Sequence, residues 1–254
     1  MSGSLAVIWV LVLVIIVLAY EGIVRQGPAV GERVEVVAQA PSADTVADLA
    51  AAPGEASCIF AASYAELEHQ MPDSVHGLIA ASAEQGVSIL GGTFGTFAKV
   101  EANLRALRGL LDAGHPVRLL MLDPDAAGVG LLADQKRERG QSVRAIDLER
   151  EIRFSLNRLR DHLGAAALEQ CCRLYPHIPR NSVYCLGDAY VVTIYKFGAG
   201  ASSPCIFLRE SDVTQPFCDA LDRSFDDIWN ARLTRPFTEG DLVEPSDRAA
   251  VASA

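Results

Sequence analysis

Residues 5–20, LAVIWVLVLVIIVLAY, form an unbroken apolar run, and beyond them apolar and polar positions recur with the periods of water-soluble structure. Sixteen residues fall a little short of the roughly 20 that cross a bilayer as a helix. Gly3-Ser4 before the run and Gly22-Ile23-Val24 after it supply the rest, so 4–24 reads as a single transmembrane helix. A cleaved signal peptide would need a basic segment ahead of the run and a small-x-small exit. No Lys or Arg precedes this one, and it ends on Tyr20-Glu21. The first basic residues, Arg25 and Arg33, follow it, and the positive-inside bias then places the rest of the chain in the cytoplasm, anchored to the inner cell membrane.

Residues 25–56 carry Pro28, Pro41 and Pro53 and no sustained period, the pattern of a linker. From 57 to 236 the pattern is that of one domain. Val87-Ser88-Ile89-Leu90 is a short β run closed by Gly91-Gly92. Val100, Leu104, Leu107 and Leu111 then recur at helical spacing, with Gly114 as a C-cap. Val117–Leu122 is a second strand, ended by Asp123-Pro124-Asp125. Strand, helix, strand in this order predicts a right-handed βαβ unit with parallel strands.

A longer helix is expected over 142–163, with Leu148, Ile152, Leu156, Leu159 and Leu163 as its core stripe and Arg150, Arg153 and Arg160 on the opposite face. β runs follow at 173–175, 182–186 and 190–197, the last two joined through a Gly187-Asp188 hairpin turn, and another at 205–208. Phe217, Leu221, Phe225 and Ile228 mark a closing helix. The fold class is therefore α/β: a mixed β-sheet flanked by helices, preceded by a single transmembrane helix. Residues 237–254, polar, acidic and rich in small side chains, read as a disordered tail.

A net charge of −10 argues against non-specific nucleic-acid binding by the whole surface. The six cysteines show no CxxC pair, and no His stands at ligand spacing from them, so they read as reduced, buried thiols with no metal or other cofactor. Four groups carry candidate chemistry. Gly91-Gly92-Thr93-Phe94-Gly95-Thr96 joins a strand to a helix, where Gly92 and Thr93 could cradle phosphate or simply make a tight turn. Asp123 and Asp125 could hold a polar ligand or serve as turn residues. The basic residues of 136–160 could meet acidic lipid headgroups, a nucleotide or a polynucleotide, or be a solvated helix face. Arg173, Tyr175, Arg180 and Asp188 cluster around the hairpin as an anion pocket or as its polar end.

The phrase LDAGHPVRLLMLD at 111–123, the strand Arg173-Leu174-Tyr175 and the hairpin at 182–197 resemble the phospholipase D superfamily over roughly residues 84–232. That resemblance implies a mixed α/β fold and pairing of two copies of the chain. Its active members carry His-x-Lys-x4-Asp, in which the His attacks phosphorus and the Lys neutralises phosphate oxygens. Counting back from Asp188 puts Asn181 at the His position and Val183 at the Lys position. An amide is no nucleophile and valine carries no charge. The chain thus resembles the non-catalytic members, and the expectation is a membrane-anchored sensor or effector of a bacterial stress or defence system, with an anionic or nucleotide ligand. A phosphodiesterase with an unconventional residue set and a structural membrane adaptor remain alternatives.

Overall fold

The computed structural model describes residues 58–61, 63–138, 142–178, 181–195, 203–212 and 214–242. The expected membrane helix and linker lie outside these residues. Among the described residues no helix is long and apolar enough to cross a membrane.

Eight strands form one sheet: β1 (Cys58–Ala61), β2 (Val87–Gly91), β3 (Val117–Leu122), β4 (Cys172–Tyr175), β5 (Asn181–Leu186), β6 (Ala189–Ile194), β7 (Cys205–Arg209) and β8 (Arg235–Pro236), in the order β1-β7-β6-β5-β2-β3-β4-β8. β2, β3 and β4 are parallel, and every other pairing is antiparallel. The split follows the sequence. Parallel neighbours need crossovers long enough for helices, whereas β5 and β6 are joined by two residues. Leu186 pairs with Ala189, so Gly187-Asp188 is the whole loop, with Gly187 at φ 64°. Glycine with positive φ at the first loop position is the II′ arrangement, whose twist matches that of the flanking strands.

Nine helices accompany the strands among the described residues: α1 (Tyr64–Gln70), α2 (Val75–Ala81), α3 (Gly95–Lys99), α4 (Glu101–Asp112), α5 (Ala127–Glu138), α6 (Ala145–Leu163), α7 (Ala165–Cys171), α8 (Gln215–Trp229) and a 3₁₀ turn at Glu239–Leu242. α1 and α2, each seven residues, begin at Ser63 and Ser74, whose hydroxyls accept from the Glu66 and Gly77 N–H groups. The helix stripe of α6 is as expected: Leu148, Ile152, Leu156, Leu159 and Leu163 are all buried. That of α4 is shifted. Val100 is the extended residue before the helix and is exposed, and Leu110 rather than Leu111 is buried with Leu104 and Leu107.

The sheet separates two layers. Arg118 pairs with Ser88 across β3 and β2 and reaches α8, where it meets Asp226. Tyr184 pairs with Ile89, one position along, and therefore points to the other face, where its ring meets Phe97 of α3. Helices α3, α4 and α6 pack on one another in that second layer.

The expected disordered tail needs correction. Arg235 and Pro236 pair with Leu174 and Arg173 of β4, the Phe237 N–H donates to the Cys172 carbonyl at 3.0 Å, and Phe237 is buried. Burial of one phenylalanine side chain contributes about 2 kcal/mol, and backbone pairing to an open strand edge holds what surrounds it. Residues from 243 onward lie outside the described ones.

Candidate functional site

The carboxyl ends of parallel strands are where open α/β sheets place ligands, and three of the expected site segments end there. β2 leads into Gly91-Gly92-Thr93, β3 into Asp123, and β4 ends on Tyr175. They are stitched together by hydrogen bonds. The Leu122 N–H donates to the Gly92 carbonyl at 3.2 Å, the Asp123 N–H to the Tyr175 carbonyl at 2.9 Å, and the Tyr175 hydroxyl to the Gly91 carbonyl at 3.0 Å. Tyr175 is wholly enclosed, and burial pushes its hydroxyl well above the usual tyrosine range. It is a neutral donor inside the fold.

The glycine-rich loop turns on Phe94, which sits in the left-handed region at φ 56° with its ring folded back over Gly91. A side chain on Gly91 would lie 3.0 Å from that ring, which accounts for the glycine. Thr93 Oγ1 accepts from the Gly95 N–H at 3.3 Å, so the loop itself takes up one of the amides a phosphate would use. The helix that follows, α3, has five residues, too short for an appreciable dipole.

Asp123 is the centre of a charged cluster. Arg235 donates to both of its oxygens, at 2.9 and 3.1 Å, and to both oxygens of Asp241, at 2.9 and 2.8 Å. Asp241 also accepts from the N–H and hydroxyl of Thr238, at 2.8 and 3.1 Å. A second arginine, Arg153, is buried on α6, pairs with Asp125, and donates to the Asp241 carbonyl. Burial acts to raise the Asp241 carboxyl, but the hydrogen bonds from Arg235 and Thr238 outweigh it and hold the group below the ordinary carboxylate range. The hydrogen bonds to Asp241 first, and then to Asp123, raise the Arg235 guanidinium against its partial burial. The guanidinium of Arg235 thus occupies the place beside Asp123 that a cationic or hydrogen-bonding ligand would take.

The remaining expected residues are dispersed. Arg173 points to the α8 face, donates to the Trp229 carbonyl at 2.6 Å and lies 4.6 Å from the centre of its ring. That is a cation closing the carboxyl end of a fifteen-residue helix. Asp188 stands at the other end of β5 from Asn181, a distance of about 17 Å along the strand, and is paired with Arg209 at 3.0 Å, which also meets Asp73 at 3.3 Å. Val183 is buried between Leu90 of β2 and Val192 of β6. Continuing that register brings Asn181 level with Gly92. Arg180 lies outside the described residues. Gly92, Thr93, Asp123 and Tyr175 therefore share one end of the sheet, while Arg173 and Asp188 do not join them.

Sequence reasoning missed Arg235, Asp241 and the inward turn of Arg153. One signal was present: Phe237, a large aromatic in an otherwise polar terminal segment, implies a buried anchor there.

No family model matches the sequence, and no curated protein matches it. Among solved structures the chain is similar to Nuc from Salmonella typhimurium, a phospholipase D family member, at 11% identity over 72% of this chain and 99% of that one, with a TM-score of 0.36. It is also similar to TrmBL2, an archaeal chromatin protein, at 10% identity over 76% of this chain, with a TM-score of 0.39; the match spans 59% of TrmBL2.

Proposed function

We propose that this chain is a membrane-anchored, single-pass protein whose α/β domain is a binding or effector module in the cytoplasm and not a phosphodiesterase. The observation that carries the reading is Val183. The position where the phospholipase D-like motif would place its lysine is a buried valine in the middle of the sheet, and Asn181, at the histidine position, offers an amide. Phosphoryl transfer through a phosphohistidine needs a basic nucleophile and a cation on the phosphate oxygens, and neither stands there. On this reading an anionic or nucleotide ligand meets the end of the sheet that Gly92, Thr93, Asp123 and Tyr175 share, where Arg153 and Arg235 supply the cations. The resemblance to non-catalytic phospholipase D-like modules supports a sensor or effector role in a bacterial stress or defence system, working as a homodimer or larger assembly.

Two measurements on the full chain test this. Carbonate extraction of membranes leaves an integral anchor in the pellet, and release into the supernatant would remove the anchor from the reading. Purified protein turns over no phosphatidylcholine, oligonucleotide or bis-p-nitrophenyl phosphate above a blank. Turnover that disappears in His177→Ala, whose side chain is exposed beside the end of β4, would make the chain a hydrolase with an unconventional site.

A further inference from the structure

A groove of about 510 Å³ opens beyond the carboxyl end of β3, between the start of α5 and the start of α6. That volume is in the range that holds a small organic molecule. The lining is apolar, with Pro124, Ala127, Val129, Gly130 and Ala145 in it, except for two carboxylates, Asp125 and Glu149. Among the described residues no hydroxyl, amide, basic or aromatic side chain lines it, so a sugar, a phosphate or a nucleobase finds no side-chain partner there.

One glycine of the lining has no packing reason. A side chain on Gly128 would strike the Pro176 carbonyl at 2.5 Å, which accounts for that residue. At Gly130, two positions on, a side chain would begin with no atom within 4 Å. Glycine weakens a helix more than any residue except proline, so packing does not select it, and what its missing side chain leaves is room in the groove. Glu149, half-buried, makes no ion pair or hydrogen bond among the described residues. Its neighbours three and four positions away on α6 are Ala145, Ile146, Ile152 and Arg153. The cation among those four is committed, since Arg153 pairs with Asp125 and donates to the Asp241 carbonyl. Arg153 balances Asp125, and the groove keeps the charge of Glu149. The start of α6 does not need that charge, because Asp147 already takes the Arg144 N–H at 3.1 Å.

We propose that this groove is a binding site for a small aliphatic cation, an ammonium or guanidinium group on a flexible carbon stem. The stem lies along the proline, alanine and valine walls, and the charged head meets Glu149. Stems of this kind cover apolar surface while their heads hold a carboxylate. A molecule of net charge −10 also concentrates small cations around itself. Two helices begin at the groove, and their first N–H groups favour an anion. The full charge of Glu149 opposes them, and the test compares ligands of both signs. The site takes the opposite charge from the ligand proposed for the end of the sheet, and it stands or falls without that ligand.

The experiment is equilibrium dialysis of the purified full chain against radiolabelled hexamethylenediamine at physiological salt. Unlabelled diamine displaces the label, hexanediol does so at least tenfold less effectively, and adipate does not. Glu149→Gln and Gly130→Leu each weaken binding at least tenfold, while Leu233→Ala, which trims an exposed leucine elsewhere, leaves it unchanged. Leucine favours a helix and its Cβ meets nothing at position 130, so Gly130→Leu melts no lower than the unaltered chain. Ala127→Leu, at an exposed position of the lining, is a second way to fill the groove. No binding, or displacement by adipate or hexanediol as effective as that by the diamine, overturns the proposal. So does binding that survives Glu149→Gln, or that survives both filling variants.

Discussion

Asp241 shows how much one residue in a supposed tail can hold. Its carboxylate accepts four hydrogen bonds, two from Arg235 and two from Thr238, and its carbonyl receives a fifth from Arg153. Alanine leaves the backbone carbonyl for Arg153 and leaves Asp123 for Arg235, but removes the second carboxylate from Arg235 and the acceptor from Thr238, so Asp241→Ala costs about 2 kcal/mol, read as a fall in the urea midpoint. The pH dependence follows from the lowered carboxyl. A group held more acidic in the folded than in the unfolded chain stabilises the fold above its unfolded value, about 3.9, and loses that contribution as pH falls through the folded value. The melting temperature is therefore level on this account from neutrality to about pH 5 and declines below about pH 4. Asp241→Asn starts lower and declines less steeply. An unchanged acid limb in that variant would assign the decline to other carboxylates. The cysteines give a second test at this scale. All six are free thiols, and burial pushes Cys58, Cys171 and Cys218 up to about 12. Iodoacetamide at pH 8 then labels the native domain slowly and all six sites after denaturation; rapid labelling of native protein would contradict this burial.

At the scale of the element, the β5–β6 hairpin and the end of α8 rest on single positions. Gly187 adopts φ 64°, and a side chain there would come within 2.6 Å of Gln85 and 3.1 Å of Ser82. Gly187→Val adds a β-branched residue in the left-handed region, a penalty of about 2 kcal/mol before the crowding is counted. Gly187→Asn costs less because asparagine tolerates that region. Equal melting temperatures for the two variants would refute the strain argument. The end of α8 depends on Trp229, which stacks on Phe225 at 5.8 Å with Arg118 and Arg173 over the two rings. This arrangement also explains why Arg173, legible as a polar residue on a β run, is bound up in packing: its strand turns it to the α8 side.

For the whole molecule, the strap at 235–242 matters most. Without it β4 would be a bare edge with Cys172 and Leu174 uncovered, an invitation to edge-to-edge pairing. A chain ending at residue 242 keeps the full-length melting temperature. One ending at 234 loses the buried Phe237 and the ionic cluster together, and its melting temperature falls by about 10 °C, with aggregation visible by light scattering. Equal stability of the two truncations would return the segment to the status of a tail.

Periodicity alone determined the elements that are long or strictly alternating: the βαβ unit of β2, α4 and β3, the stripe of α6, the hairpin at Gly187-Asp188 and the closing helix α8. These depend on local repeats of 3.6 and 2, and on a turn whose backbone selects glycine. That positions 181 and 183 carry an amide and a valine is read directly from the sequence. The short helices α1 and α2 were not legible, because seven residues give fewer than two full repeats. Only the tertiary structure decided which charges meet. Asp123 and Arg235 are 112 residues apart, and Arg153 and Asp241 are 88 apart, and no local pattern records a partner at that range. A helical wheel placed Arg153 on the outside because arginine is ordinarily solvated. The fold turned it inward because carboxylate and carbonyl acceptors from two distant segments converge on it and offset the cost of its burial.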